Sequence, residues 1–186
     1  MLFAEKRMNE VQNGGFEQGL AFWLGADNVS LETGGRQHEG LVAAALGKED
    51  NTCPASLFQD VRAFPLSTYK LQFAVSAFEA DPGDLTVDVR YLDSVGADLG
   101  SALGCVPIRV QSETLGCADK GAYKTVIVVT EPAPFGTAAA RIIFEKSPGS
   151  HGNTYELNFN VAGLAECTVN LVSEVHWLDD DNMDLG

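Results

Sequence analysis

Two stretches of this chain alternate apolar and polar residues with a period of two, and that pattern limits what the chain can fold into. Tyr69, Leu71, Phe73, Val75 and Ala77 alternate with Lys70, Gln72, Ala74 and Ser76. Leu85, Val87, Val89 and Tyr91 alternate with Thr86, Asp88 and Arg90. A period of two is the signature of a strand with one face buried. Nowhere does a helical period persist for three turns. Further strands are expected over residues 28–32, 41–46, 57–61, 106–110, 123–130, 138–145 and 155–162, with an edge strand over 3–11 and another candidate over 165–176. Short strands separated by glycine- and proline-containing loops predict an all-β protein, a β-sandwich jelly roll of roughly eight strands or more. One core is expected to hold Phe16, Trp23, Leu71, Phe73, Val87, Val89, Ile142 and Phe144, each in the apolar phase of its segment.

Asn13-Gly14-Gly15-Phe16-Glu17 reads as the turn from which the domain starts. Paired glycines allow positive φ and a tight turn. Phe16 can then enter the core, with Trp23 as a second large anchor. Glu17 is expected to point its carboxylate back toward the turn. Carboxylate and carbonyl oxygens there could hold a hard cation such as calcium. A turn that merely starts the first core strand, with a solvated Glu17, is the other reading. Residues 1–12 are taken as a lead-in segment or edge strand, 13–176 as a single jelly-roll domain and 177–186 as an acidic tail.

The 186 residues suffice for one well-filled domain. The net charge of −14 and the absence of a Lys/Arg cluster exclude nucleic acid and anionic membrane surfaces as expected partners. No apolar run is long enough for membrane insertion, and the N-terminus does not read as a signal peptide. Cys53, Cys105, Cys117 and Cys167 lack zinc-site spacing. Cys105 and Cys117 flank one loop-like stretch and are the pair expected if a disulfide forms. Four small buried thiols under reducing conditions is the alternative.

The motifs occur in an order that resembles a family. "NGGFE" is followed by Trp23, a glycine-bounded loop before Leu41-Val42-Ala43, and Phe58-Gln59-Asp60-Val61. Tyr69-Lys70-Leu71-Gln72-Phe73, Val89-Arg90-Tyr91-Leu92-Asp93 and "APFGT" at 133–137 complete the series. Over residues 12–164 this resembles the jelly-roll carbohydrate-binding modules with the galactose-binding-domain-like fold. It resembles still more the non-repeat N-terminal domain that precedes repeat regions in some Firmicute surface proteins. The first resemblance implies a structural calcium held by Glu17. The last-strand aspartate of that site is replaced here by Asn160, whose amide oxygen brings no charge. The second implies a place beside repeats and no activity.

A sugar site needs polar groups that bond hydroxyls, beside apolar platforms. On the regular strands Gln72, Ser76, Asp88, Arg90 and Arg141 lie opposite the core phase and are the candidate glycan-binding residues. A solvated, salt-bridged sheet face is the competing reading. His38, His151 and His176 sit in separate segments, and no GxSxG, HExxH or P-loop motif is present. Trp177 is expected to pack the C-terminal segment. The resulting expectation is a non-catalytic, carbohydrate-binding-module-like domain of an extracellular or surface protein, with a polysaccharide or glycan as partner. A structural or trimerising cap ahead of repeats is the alternative, and a glycoside-active enzyme is the third.

Overall fold

The computed structural model describes residues 9–33, 40–47, 50, 52–77, 83–103, 108–110, 123–149 and 157–166. These contain eleven strands: β1 (Leu24–Asp27), β2 (Val29–Glu32), β3 (Ala43–Leu46), β4 (Ala55–Arg62), β5 (Tyr69–Ala77), β6 (Leu85–Leu92), β7 (Asp98–Ser101), β8 (Ile108–Val110), β9 (Lys124–Val129), β10 (Ala139–Lys146) and β11 (Leu157–Glu166). A six-stranded sheet runs β1-β4-β10-β6-β7, with β8 also paired to β6. A five-stranded sheet runs β2-β3-β11-β5-β9. All pairs are antiparallel. The two sheets enclose one core, and the architecture is a β-sandwich jelly roll, as the alternation predicts.

The two sheets exchange the chain at a corner the sequence did not announce. β1 belongs to one sheet and β2 to the other, with Asn28 alone between them at φ 51°. Its amide donates to the carbonyl of Asp50 at 2.7 Å, which pins the corner to the β3–β4 connection. Asparagine is among the few non-glycine residues that take this conformation readily.

Side chains divide by strand phase. On β4, Ala55, Leu57, Gln59 and Val61 are buried, and Ser56, Phe58, Asp60 and Arg62 face away. Leu85, Val87, Val89 and Tyr91 of β6 and Ala140, Ile142 and Phe144 of β10 join them in the core, as do Tyr69, Leu71, Phe73 and Val75 of β5. Every core residue expected above is buried. Aromatic rings run in a line between the sheets. Phe16 stacks on Trp23 at 5.3 Å, Trp23 meets Phe144 at 6.1 Å, and Phe144 meets Phe73 edge-on at 5.3 Å. Such contacts add roughly 0.5–1.5 kcal/mol each beyond their area burial.

The starting turn differs from its expected form. Positive φ falls on Asn13 (50°) and Phe16 (59°), whereas Gly14 and Gly15 keep ordinary backbone angles. Asn13 makes this possible with its side chain. Its Nδ2 donates to the carbonyls of Gly19 and Ala21 at 2.9 and 3.0 Å, and its Oδ1 accepts from the Gln18 amide at 3.0 Å. Its carbonyl accepts from the Phe16 amide and from Trp23 Nε1. Full burial of the Phe16 ring offsets the cost of its strained backbone.

Other boundaries shift as well. The strand expected from 41 begins at Ala43, and the last one, described from Leu157, continues to Glu166 where an end at 162 was expected, while residues 155 and 156 lie outside the described residues. Of the expected 3–11 strand, only Asn9 to Val11 are described. Asn9 forms an isolated bridge, and Val11 is buried in the core. The next residue is tied down by side-chain mimicry of a ladder. Gln59 Oε1 accepts from the Gln12 amide at 2.8 Å, and Gln59 Nε2 donates to the Gln12 carbonyl at 2.9 Å. This explains why a glutamine occupies a core phase of β4. Cys53 is exposed and carries a free thiol. Cys105, Cys117, Cys167, Trp177, the three histidines and the acidic tail lie outside the described residues.

The Asn13 turn makes a graded prediction. Asn13→Ala loses three side-chain hydrogen bonds and strains the backbone, and is expected to cost about 2–3 kcal/mol. Asn13→Gly loses the bonds but not the conformation, and should cost about 1 kcal/mol less. Urea unfolding of both variants measures the difference. Equal stability of the alanine variant and the parent would contradict the assigned role.

Candidate functional site

The outer face of the six-stranded sheet gathers most of the charged side chains that the strand phase turns away from the core. Across β4, β10 and β6 the register aligns Asp60 with Arg141 and Arg141 with Arg90. Two guanidiniums therefore face each other directly, which is unfavourable unless anions flank them. Carboxylates do flank them. Arg141 makes a two-pronged pair with Asp60, Nε to Oδ1 at 2.6 Å and Nη2 to Oδ2 at 2.8 Å. Arg90 pairs through Nε and Nη2 with Asp98 of β7, at 2.7 and 2.5 Å. Its Nη1 also reaches Asp88 Oδ2 at 3.3 Å. The row reads carboxylate, guanidinium, guanidinium, carboxylate.

Asp88 sits lower in this face. It is 9% exposed. Its Oδ1 accepts from the Val89 amide at 2.8 Å and from the Ser101 hydroxyl at 2.9 Å. The hydrogen bond from Arg90 holds the Asp98 carboxyl below the usual carboxylate range, and its bond to Asp98 raises the Arg90 pKa. Asp60 raises that of Arg141 by the same kind of bond. Pairs this exposed contribute little stability, of order 0–1 kcal/mol each. Their consequence is orientation: donors and acceptors are held at fixed spacing on a flat sheet.

Apolar surface adjoins the row. The guanidinium carbon of Arg141 lies 4.5 Å from the ring centroid of Phe58. Gly25 of β1, at φ +58°, also lies against that ring, and an added Cβ there would sit 2.6 Å from Phe58 Cε1. Glycine is required there because the ring occupies the space of a side chain. Leu24, opposite Phe58 in the register, is 54% exposed.

Of the residues singled out as glycan-binding, Asp88, Arg90 and Arg141 meet on this face. Gln72 does not. It lies on β5, in the five-stranded sheet, and its phase turns it away from the sandwich on the opposite side. Ser76 shares that strand and is fully buried. Strand phase shows which residues avoid the core but not which of two sheets they belong to. Asp60 and Asp98 were missed. Period two in "LFQDV" puts Asp60 in phase with Phe58, a usable signal. Asp98 lies in a segment that reads as a turn, so nothing marked it.

Glu17 makes long-range contacts that the turn itself does not announce. Its Oε1 accepts from the backbone amides of Leu41 and Val42, at 2.6 and 3.3 Å, across 24 and 25 residues. Gly40, at φ +74°, makes room, since a Cβ there would overlap the carboxylate. Asn160 lies on β11, opposite Ala74 of β5 and one residue beyond the Phe159–Ala44 pair with β3. Its backbone thus runs beside the strand entry that Glu17 clamps. Among the described residues no three His, Cys, Asp or Glu side chains converge. Any cation at this place would depend on the second Glu17 oxygen and on carbonyl oxygens. The clamp alone predicts that Glu17→Ala lowers stability by about 1 kcal/mol in a chelating buffer, whereas Glu17→Gln, which keeps an acceptor oxygen, loses less. Chemical denaturation decides it, and an unchanged midpoint for Glu17→Ala would remove the clamp from the account.

No protein-family model matches the chain, and no curated protein sequence matches it. Solved structures do. The chain is similar to the enzymatically active domain of tailspike protein 4 of bacteriophage CBA120, with a TM-score of 0.63 and 17% identity over 86% of this chain. It spans only 21% of that structure. It is similar to a family 16 carbohydrate-binding module (TM-score 0.58, 19% identity, 84% of this chain and 99% of that one). It is also similar to the module TmCBM61, solved with β-1,4-galactotriose (TM-score 0.59, 17% identity, 86% and 99%). At such identities the similarity establishes the fold, which is that of the jelly-roll carbohydrate-binding modules.

Proposed function

We propose that this chain is a non-catalytic glycan-binding domain of an extracellular or surface protein, and that the outer face of the six-stranded sheet is where it binds. The observation that carries the reading is the oriented row Asp60–Arg141–Arg90–Asp98, with Asp88 beside it. Adjacent hydroxyls of a sugar present donors and acceptors at short spacing, and paired carboxylates and guanidiniums match that pattern. Full-length similarity to two carbohydrate-binding modules supports the reading at the level of the fold. A catalytic role is not proposed. A glycosidase acid needs a raised pKa, and Asp98 is held down by Arg90.

Binding is expected to be weak. The face offers little open aromatic surface, because Phe58 is covered by Arg141 on one side and meets Gly25 on the other. A dissociation constant of about micromolar to millimolar follows. Arg90→Ala and Arg141→Ala should each weaken binding by about tenfold while leaving the circular-dichroism spectrum unchanged. A glycan array followed by titration calorimetry tests this. No binding to any cell-wall or exopolysaccharide sugar would defeat it.

The calcium ion expected from the resemblance is proposed on the same terms. What supports it is the second Glu17 oxygen, which makes no hydrogen bond among the described residues and lies on a carboxylate held at the entry to β3, the strand that pairs with β11. Calcium at about millimolar concentration should raise the melting temperature of the parent but not of Glu17→Ala. No shift in the parent would exclude the site.

One observation favours the alternative of a structural, trimerising cap. Among the described residues β9 ends the five-stranded sheet, and its outward Ile127 and Val129 are 54% and 40% exposed. Apolar edge strands invite pairing. A trimer in sedimentation, with no glycan bound, would shift the proposal to that role.

A further inference from the structure

One end of the same sheet face closes into a pocket of about 350 Å³ with a different electrostatic character. The register builds it. Asp27 of β1 lies opposite Ser56 of β4, Ser56 opposite Glu145 of β10, and Glu145 opposite Thr86 of β6. All four are in the outward phase, and Pro54, Ala55, Lys146 and Ser147 complete the lining. The pocket row lies four residues along the strands from the Arg90–Arg141 row, about 13 Å.

Charges in the two rows are handled in opposite ways. In the arginine row every guanidinium is matched by a carboxylate. In the pocket, among the described residues, Asp27 and Glu145 have no ion pair and no side-chain hydrogen bond, and neither has the Thr86 hydroxyl. The cation in the lining, Lys146, is 1% exposed, with Nζ donating to the Ser147 carbonyl at 3.1 Å. Among the lining residues two carboxylates stand against one ammonium, so the lining is net negative, and the next cation in register is Arg109 of β8, opposite Thr86 at the far end of the row. Its ligand should therefore bring a positive charge together with hydroxyls for Thr86 and Ser56, in a volume suited to one small ring.

We propose that this pocket is a subsite for a protonated amino sugar, a hexosamine with a free amine, at the end of a glycan lying across the arginine row. The ammonium bonds to Asp27 and Glu145, and the hydroxyls of the same ring reach Thr86 and Ser56. The inference rests on the glycan-binding reading and adds a preference to it. Both carboxylates are exposed at the rim, so each contributes modestly and is screened by salt.

The test uses the full chain and a matched pair of oligosaccharides of equal length, one of β-1,4-linked glucosamine and one fully N-acetylated. Titration calorimetry at low salt should show about a fivefold preference for the free amine. In Asp27→Asn/Glu145→Gln the two ligands should bind alike, whereas Asp27→Glu, which keeps the charge, should retain the preference. Added salt should reduce the preference in the parent. Circular dichroism and the melting temperature establish that the variants are folded. Equal binding of both ligands by the parent would overturn the subsite and leave the glycan reading intact. A preference that survives the double substitution would place the charge recognition elsewhere and overturn it as well. Failure of Arg90→Ala to weaken a neutral glycan is a separate result, and it bears on the face alone.

Discussion

The fold depends on how Phe16 enters the core. A single turn places this ring against Trp23, and Trp23 carries the contact to Phe144 on one sheet and through it to Phe73 on the other. Removing any member would leave a cavity between two sheets that otherwise meet mainly through aliphatic side chains. Asn13 holds the turn. Its side-chain amide donates to two loop carbonyls and its backbone carbonyl accepts from the indole N–H, so one residue fixes both the loop and the ring. A second long-range clamp, Glu17 on the Leu41 and Val42 amides, then fixes where β3 begins.

A sandwich of this kind has two outer faces, and the chain treats them differently. One face carries the arginine row and the pocket. On the other, small residues dominate: Ala43, Ala45, Ala74 and Ser76 are buried although their phase is outward. Buried alanines on an outward phase cannot offer a sugar either a platform or a hydrogen bond. The charged face carries fixed donors and acceptors, on a protein of net charge −14. Its arginines are each matched by a carboxylate, and at the pocket end Asp27 and Glu145 stand beside the single ammonium of Lys146.

The loops at the opposite end show how much of the rigidity is polar. Tyr91 and Thr130 hydroxyls lie 2.7 Å apart, and Tyr91 also donates to the Glu131 carbonyl at 2.6 Å. Burial pushes the Tyr91 phenol up to about 12, which keeps it a donor at any physiological pH. Tyr69, beside it, accepts from the Phe64 amide at 2.7 Å. Two phenols at the edge of the core therefore tie down the β4–β5 and β9–β10 connections, each with its ring in the apolar layer and its hydroxyl at the loop.

The sequence by itself determined the class of fold, the core and the chemistry available. Period two in β5 and β6 requires strands with one buried face, and the residues in phase are those found in the core. It also showed that Asp88 and Arg90 share a face, because they are two apart on one strand. Tertiary structure decided what alternation cannot encode. A phase says inward or outward, but two sheets supply two outward faces, so Gln72 parted from Arg90 while Asp60 and Asp98 joined it. The turn gave its positive φ to Asn13 and Phe16 and not to the glycines, because side-chain hydrogen bonds and ring burial outweighed intrinsic preference. The partner of Glu17 lay 24 residues away and came within reach only when β3 was in place. Local sequence carries local periodicity, and pairing over such distances is set by packing the whole sandwich.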